Sequence, residues 1–278
     1  MSEQFQFDRI GYWSEIKLEI IKEYAAAYSR ILAAQEDPSF YHVYIDAFAG
    51  AGVHLTRATK DFVPGSPLNA LNVRPPFREY HMIDIEPEKV ENLRRLIGPR
   101  NDVSIHEGNC NEILLERVFP RVKFEDYRRG LCILDPYGLH LDWSVIFRSG
   151  QMRTIDLFLN FPVADMNRNV LWHDPERVSA SQIARMTAFW GDSSWRDIAY
   201  QTTGNLFGNP EKEPNQVVAE AFRERLKRVA GFARVPDFLP MKNSTGAVVY
   251  YLFFASQVDT AEKIVLDIFR KYSQHRSQ

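Results

Sequence analysis

The chain has 278 residues, of which 45% are hydrophobic and 25% charged, and its formal net charge is −2. This balance is typical of a folded globular protein and excludes a fibrous repeat or a chain without a core. A near-zero net charge also excludes nonspecific binding to nucleic acid through overall positive charge, although it is compatible with binding by a local cluster of arginines. A chain of this length buries about three-quarters of its extended surface, so one large core is expected.

No apolar stretch is long enough to cross a bilayer, and the first ten residues, MSEQFQFDRI, show neither the basic start nor the apolar segment of a secretion signal. The two cysteines, Cys110 and Cys132, are too few for a disulfide framework or a four-cysteine zinc site. We expect both to be small buried side chains. The sequence therefore predicts a cytoplasmic protein with no membrane partner and no metal site.

Helices and short apolar strands alternate along the first 160 residues. The first helix is predicted over residues 14–34, with Ser14 as its N-cap and Asp37-Pro38 at its end. Further helices are predicted from Gly65-Ser66-Pro67, with Ser66 as N-cap, and from Pro87. The predicted strands begin with YHVYIDAF at residue 41 and continue at 79–85, 103–106, 131–134 and 155–159. This alternation predicts a doubly wound α/β fold with a mostly parallel sheet and helices on both faces.

The alternation stops between Pro162 and about Pro240, where helices are predicted over 175–190 and 216–230. The strongly β-prone run 248–255 follows, and the pair Asp259 and Glu262 caps a closing helix. We therefore expect a single domain over residues 1–278, with a helical cover over 1–38 and a helical insertion lobe over 163–235.

A glycine-rich turn with a leading acid, Asp46 to Gly52, directly follows the first long strand. Glycines let the backbone approach a ligand closely, and an acid at a strand end can receive a cationic amine. A second acid, Asp84, ends the next strand 38 residues later, where it can accept hydrogen bonds from ribose hydroxyls. That spacing exceeds the roughly 20 residues usual in dinucleotide-binding folds, and Leu55 replaces the third glycine of their motif. An NAD-dependent oxidoreductase is therefore the weakest of the functions considered.

These features resemble class I S-adenosylmethionine-dependent methyltransferases, whose sheet has seven strands with the last one antiparallel. In that resemblance the glycine turn wraps the methionine end, Asp84 holds the ribose, and the polar pair after the third strand lies beside the adenine. Asn109 stands where many relatives have Asp, and an amide oxygen can still accept from the adenine amino group. The implied S-adenosyl-L-methionine contacts are Asp46, Phe48, Gly50, Gly52, Asp84, Ile85, Asn109 and Cys110.

The motif Asp135-Pro136-Tyr137-Gly138 ends the fourth strand. It resembles the motif by which amino-methyltransferases hold an exocyclic base nitrogen, with oxygens accepting the amine hydrogens and the aromatic ring stacking on the base. Asp135, Pro136 and Tyr137 are accordingly the expected catalytic residues. The order departs from the adenine-type D-P-P-Y and is closer to the D-P-F-G of tRNA guanine-N2 methyltransferases, so the base is left open.

Over nearly the whole length the chain resembles the three-Cys-motif partner (TcmP) family, whose members are methyltransferase-like. The resemblance is carried by Trp13-Ser14 with Lys17, by YIDAFAGAG, by the Gly65-Ser66-Pro67 turn, by ILDPYG and by the closing YYLFFAS. It implies a companion protein bearing a three-cysteine motif. Independently of the resemblance, an interpretation left open for Lys17 is that it reaches toward the methionine carboxylate if the first helix covers the site.

The sequence thus predicts a methyltransferase acting on an exocyclic nitrogen of an RNA or DNA base, together with the three-cysteine partner. The alternative is a non-catalytic binding or assembly module that retains the fold for that partner. Two further groups of residues stay open between contact with nucleic acid and an ordinary structural role. They are the basic stripe Arg223, Arg225, Lys227 and Arg228, and the tryptophans Trp172, Trp190 and Trp195 with the nearby arginines Arg168, Arg177, Arg185 and Arg196.

Overall fold

The computed structural model describes residues 8–35, 41–57, 59–201, 211–243 and 245–274. Its strands, in chain order, are β1 (Arg9–Ile10), β2 (Tyr41–Asp46), β3 (Val53–Thr56), β4 (Phe62–Pro64), β5 (Glu79–Asp84), β6 (Val103–Glu107), β7 (Arg128–Leu134), β8 (Ile155–Phe161), β9 (Tyr200–Gln201), β10 (Glu211–Lys212), β11 (Leu239–Lys242) and β12 (Val248–Ala255).

Its α-helices are α1 (Tyr12–Ala33), α2 (Ser66–Leu71), α3 (Pro87–Ile97), α4 (Cys110–Ile113), α5 (Trp143–Met152), α6 (Val163–Asn169), α7 (Ala180–Trp190), α8 (Trp195–Ala199), α9 (Asn215–Arg228) and α10 (Asp259–Gln274). A π-helical turn (Leu114–Val118) and short 3₁₀ turns (Phe119–Arg121 and Pro175–Arg177) complete the helical structure of the described residues. None of the helices in these ranges has the length and apolar character that a membrane span requires.

Seven of the described strands form one sheet in the order β11-β12-β8-β7-β2-β5-β6. The neighbours from β8 to β6 are parallel, whereas β12 runs antiparallel to both β8 and β11. This confirms the predicted fold class, including the antiparallel last strand. Because β2, β5 and β7 are parallel neighbours, their carboxyl ends, and the acids that follow, meet at one edge of the sheet.

Each face of the sheet is covered by its own apolar cluster. Alternate residues of a strand point to opposite faces, so Val43 and Ile45 join one cluster while Tyr44 joins the other. Helices α5, α7 and α9 supply the first cluster, and α1, α2 and α10 supply the second. The two-sided arrangement fixes the register of the central strands, because a slip by one residue would exchange the two faces.

Three helix boundaries differ from the prediction. Helix α1 begins at Tyr12, since the extended residue Gly11 accepts at its carbonyl from the backbone of Ser14 and so takes the N-cap position. In the same way Gly65 caps α2 in place of Ser66. The helix predicted over 175–190 is broken because the backbone at Val178 is extended.

Parts of the proposed helical cover and of the proposed insertion lobe lie outside the described residues. They are 1–7 and 36–38 of the cover, including Asp37-Pro38, and 202–210 of the insertion lobe. Between β8 and β11 the described chain is helical except for the short antiparallel pair of β9 and β10 and irregular connections.

The buried carboxyl of Asp156 at the start of β8 provides a test of the fold. It accepts hydrogen bonds from Tyr24 (2.6 Å) and Ser256 (2.5 Å), which join α1 and the end of β12 to the sheet. Burial raises the pKa of Asp156 from 3.8 to about 6 despite these two bonds. The folded state therefore holds the Asp156 proton more tightly than the unfolded chain does.

We expect Asp156→Asn to change the pH dependence of stability. In the wild type, a pKa raised on folding costs stability as the pH rises from about 4 to about 6, and the neutral amide removes this cost. The difference in unfolding free energy between variant and wild type should shift in favour of the variant by roughly 3 kcal/mol across that window. Urea unfolding at a series of pH values measures it. If the unfolding free energies of variant and wild type change in parallel with pH, the raised pKa of Asp156 is contradicted.

Candidate functional site

The loop after β2 is organised around the Asp46 carboxylate, which is 1% exposed. The carboxylate accepts hydrogen bonds from the Phe48 backbone (3.3 Å) and the Tyr44 hydroxyl (3.3 Å), and the Ser66 side chain bonds it as well. Burial raises the pKa of Asp46 to about 6. Asp46 thus lies beneath the glycine turn and holds it in place.

The two predicted glycines of this turn have different roles. Both have positive φ, 64° at Gly50 and 83° at Gly52. A Cβ at Gly50 would meet no atom within 4 Å, whereas one at Gly52 would lie 2.8 Å from Leu93 of α3. Gly50 therefore keeps the backbone open toward a ligand, and Gly52 allows the turn to pack on the helix.

Asp84 ties the end of β5 to the glycine turn. One of its carboxylate oxygens accepts from the Gly50 backbone N–H (2.8 Å) and the other from the Glu86 backbone N–H (2.9 Å). Each oxygen retains one lone pair for a further donor, such as a ribose hydroxyl. The next residue, Ile85, is exposed and presents an apolar surface beside these oxygens.

Asn109 closes the end of β6 on the same side. Its side-chain oxygen accepts from the Asn111 backbone (3.0 Å) and caps α4. The neighbouring Cys110 thiol is buried, and burial raises its pKa to about 12, so it stays protonated. Cys132 is buried in the central strand β7. Both thiols are therefore placed as apolar groups and not as nucleophiles.

A single cleft of about 840 Å³ runs along this edge of the sheet. That volume is in the range of small-molecule and cofactor sites. Among the described residues, the cleft brings together most of the predicted site residues: Phe48, Gly50, Asp84, Ile85, Asn109, Cys110, Asp135, Pro136 and Tyr137. Asp46 and Gly52 lie outside its lining, the first below the turn and the second against α3.

The Asp135 carboxylate is held from two directions. Asn160, near the end of β8, donates to one oxygen (2.7 Å), and the ammonium group of Lys17 on α1 forms an ion pair with the other. Burial lowers the pKa of Lys17, but the charge and hydrogen bond of Asp135 together with the charges of Tyr250 and Asp46 outweigh it, so that pKa rises to about 12. Lys17 is thus a permanent cation that also lies over the Tyr250 ring, 5.1 Å from its centre.

Tyr137 is the exposed aromatic of the motif, with 70% of its surface accessible. The Lys89 ammonium lies 5.4 Å from the ring centre and is itself paired with Glu86 (2.8 Å) and Asp8 (3.2 Å). Gly138, which follows, has φ of 58°. A Cβ there would lie 2.6 Å from an Asp165 carboxylate oxygen, so glycine is required where α6 approaches the motif.

Sequence analysis missed two polar residues of the cleft, Asn160 of β8 and Asp165 of α6, and left Arg168 and Arg185 open between contact with nucleic acid and a structural role. Asn160, Asp165, Arg168 and Arg185 all line the cleft. Asn160 could have been found by the argument used for Asp46 and Asp84, because it too is a polar residue at the carboxyl end of a buried parallel strand. The arginines were noted for their mixture with tryptophans, but their distance along the chain does not show that α6 and α7 turn back to this edge.

Two histidines, the tryptophans and the basic stripe of α9 lie in different parts of the structure. His54 and His140 both line the cleft, and His140 accepts a hydrogen bond from Arg185 (2.9 Å). Trp190 and Trp195 are buried in the core. The basic stripe on α9 is an ion-paired surface, as the residues Glu220, Asp237, Asp192 and Glu224 pair with Arg223, Arg225, Lys227 and Arg228.

No protein-family model and no curated protein matches the chain. Among solved structures, it is similar to protein LPL1258 from Legionella pneumophila, of the family model DUF519, with 12% identity, 92% of each chain covered and a TM-score of 0.52. It is also similar to the DszA carbon methyltransferase, with 15% identity, 87% of this chain and 54% of that chain covered, and a TM-score of 0.47. A third similar structure is a SAM-dependent methyltransferase of the DUF858 family from Leishmania major, with 10% identity, 87% and 82% covered, and a TM-score of 0.38.

At such low identity the first of these likenesses establishes the fold alone. The chain shares with protein LPL1258 a Rossmann-like fold, with the seven-stranded, mostly parallel sheet described above. What the cleft binds must be argued from its own residues.

The Lys17–Asp135 pair gives a direct test of the cleft geometry. We expect Lys17→Met to lower the unfolding free energy by about 2 kcal/mol, because it leaves carboxylates without their cation; the partial exposure of Asp135 keeps the loss below that of a fully buried pair. Denaturant unfolding measures it. The double variant Lys17→Met/Asp135→Asn should lose less than the sum of the single variants.

Lys22→Met is the matched control, because Lys22 lies on the same helix and pairs with Glu19 at the surface. Its effect should stay below about 0.5 kcal/mol. Equal losses at Lys17 and Lys22 would contradict the importance of the inner pair.

Proposed function

We propose that the protein is an S-adenosyl-L-methionine-dependent methyltransferase that acts on an exocyclic nitrogen of a nucleic-acid base. The observation that carries the proposal is the single cleft in which Gly50, Asp84 and Asn109 face the Asp135-Pro136-Tyr137 motif. The first group suits an adenosyl ligand, and the second suits an amine attached to an aromatic ring. One cleft thus combines the requirements of donor and acceptor.

The cofactor half of the cleft fits an adenosyl group on three grounds. The Gly50 backbone leaves open space, Asp84 keeps unused acceptor capacity toward hydroxyls, and Ile85 offers an exposed apolar side chain for a ring. Asp46 acts from below by fixing the turn through the Phe48 backbone. S-adenosylmethionine, when bound, supplies a methyl carbon on a positively charged sulfur.

In the acceptor half of the cleft, the role of the protein is to position the base and its exocyclic amine. Tyr137 stacks on the base, and Asp135 with the backbone carbonyl of Pro136 accepts the hydrogens of the exocyclic amine, so that its lone pair points into the cofactor half. The bound cofactor would supply the methyl group and would keep the carbon–sulfur bonding electrons on its sulfur, and the nitrogen would lose one proton to solvent as its new bond to carbon forms. The order of the motif favours neither guanine nor adenine decisively.

A second candidate is a non-catalytic module of the same fold that binds the three-cysteine partner. It is favoured by one specific observation, namely that both oxygens of Asp135 are already engaged by Lys17 and Asn160. For catalysis the acceptor amine must share or displace the Lys17 interaction. In a module without turnover the ion pair is simply a structural bond between α1 and the sheet. In either case the three-cysteine protein is the proposed companion.

Cofactor binding tests the first half of the proposal. We expect calorimetry to detect S-adenosylmethionine or S-adenosylhomocysteine at micromolar-range affinity, and Asp84→Asn to weaken it roughly 10- to 100-fold. The amide oxygen can still accept from the Gly50 backbone, so the turn is kept while one acceptor for the ribose hydroxyls is removed. Glu88→Ala, an exposed acid on the following helix, is the control. If the wild type binds neither ligand, the proposal is wrong.

Methyl transfer tests the second half. The purified chain, with and without its companion, is incubated with methyl-labelled S-adenosylmethionine and with total RNA, DNA and protein from its host. We expect label in a nucleic-acid fraction. Tyr137→Ala should reduce it roughly 10- to 100-fold because the ring no longer stacks on the base, while Tyr137→Phe, which keeps the ring, stays near the wild type. Label in the protein fraction alone would refute the base as acceptor.

The same experiment separates the two candidates. If the chain binds the cofactor and forms a stable complex with the three-cysteine protein, but no fraction gains label in either condition, the module is favoured. Transfer by the isolated chain, together with no complex on co-expression, would exclude the module.

A further inference from the structure

The cleft extends beyond the methyl-acceptor motif into a region lined by two arginines, Arg168 of α6 and Arg185 of α7. We propose that these arginines form an anion subsite for the phosphodiester backbone of a single-stranded nucleic acid whose base enters the cleft. The inference rests on the proposed function, because it assigns the substrate class of the same cleft.

The two arginines differ from the two lysines of the cleft in having no anionic partner among the described residues. Lys17 is paired with Asp135, and Lys89 with Glu86 and Asp8. The third arginine of the lining, Arg9, belongs to β1 beside the glycine turn, on the cofactor side. Among the residues that the structure describes, neither Arg168 nor Arg185 forms an ion pair, although two carboxylates, Asp142 and Asp165, line the same half of the cleft.

Arg185 is held in place by neutral groups. One end of its guanidinium donates to His140 (2.9 Å) and the other to the Gln182 side-chain oxygen (3.3 Å). Its Nε is buried without a hydrogen-bond partner among the described residues. A guanidinium group that is fixed in orientation and has no anionic partner is well suited to bind an oxyanion.

The nearby carboxylates do not cancel this charge by direct contact. Asp165 accepts from Asn169 (2.9 Å), and its other oxygen lies against Gly138 of the motif, where it has no hydrogen-bond donor within the described residues. Its carboxylate is thus directed at the motif and at the neighbouring turn of its own helix. The cleft therefore has hydrogen-bond acceptors near Asp135 and positively charged donors farther from the motif. This order suits a nucleotide whose base lies at the motif and whose phosphate lies beside it.

An exposed aromatic ring beside Arg168 favours nucleic acid over an acidic polypeptide. Trp172 is 39% exposed, and its indole N–H donates to the Arg168 carbonyl (2.8 Å), which holds the ring one helical turn away from that side chain. Tyr137 lines the cleft together with the arginines, and Trp172, which lies outside the lining, is tied to the backbone of Arg168. Stacking rings and arginines in combination are characteristic of proteins that bind unpaired bases.

Binding of a labelled oligonucleotide tests the proposal without requiring catalysis. Single-stranded RNA and DNA probes of about 12 nucleotides are titrated by fluorescence anisotropy in the presence of S-adenosylhomocysteine. We expect Arg168→Ala/Arg185→Ala to weaken binding at least roughly tenfold and to reduce the slope of log K against log salt by about 1.4, or about 0.7 for each phosphate that is no longer neutralised. Arg185→Lys should restore part of the affinity, because it keeps the charge but not the fork.

Arg177→Ala is the matched control, since Arg177 is an exposed arginine of the same region that does not line the cleft. It should leave both affinity and salt slope unchanged. An unchanged affinity in the double variant, no binding of either probe by the wild type, or tighter binding of a glutamate-rich peptide than of the oligonucleotides would each overturn the proposal.

The outcome is distinguishable from failure of the proposed function. If the double variant loses oligonucleotide affinity but no variant or wild type binds the cofactor, the anion subsite stands and the methyltransferase proposal falls. If cofactor binding and label transfer occur and the double variant binds and methylates nucleic acid like the wild type, only the subsite falls.

Discussion

The ion pair between Lys17 and Asp135 joins parts of the chain that are 118 residues apart. It places the first helix over the carboxyl edge of the sheet and brings a cation into a region that already contains two carboxylates, Asp46 and Asp135. Without that cation, closing the cleft would leave negative charges together in a poorly solvated place. The cover formed by α1, the position of the motif and the charge of the cleft therefore depend on one interaction.

The division of the cleft follows from the order of the strands. The loops after β2, β5 and β6 build the half that suits an adenosyl group, whereas the loops after β7 and β8 build the half that suits an acceptor. Lys17 comes from neither set of loops and reaches Asp135 at the boundary between them. A change of acceptor would therefore alter Asn160, Asp165 and the helices that follow, and leave the hydrogen bond between Gly50 and Asp84 intact.

Local signals were enough to predict the sheet and which strand ends line one half of the cleft. The run 248–255 coincides with β12, and Asp84 lies at a strand end as its pattern indicated. Asp46 has the same pattern, yet it lies under the turn, because a strand end shows where the backbone goes and not whether the side chain faces ligand or core. Helix starts failed at Ser14 and Ser66 because a preceding glycine supplied the cap carbonyl. Interactions between distant segments, such as Lys17 with Asp135, have no local signal at all.

The arginines show most clearly why composition says little about binding. On α9 the basic stripe is neutralised by acids at helical spacing and by acids elsewhere in the lobe. This run of cations therefore leaves little unpaired positive charge for a ligand. Arg168 and Arg185 are separated in sequence, but they lie in one cleft, and the described side chains that bond Arg185 are Gln182 and His140, not carboxylates. The field that a ligand meets is set by the cations left unpaired, and folding decides which these are. A chain with a net charge of −2 can thus present a positive site at a place where its acids are directed elsewhere.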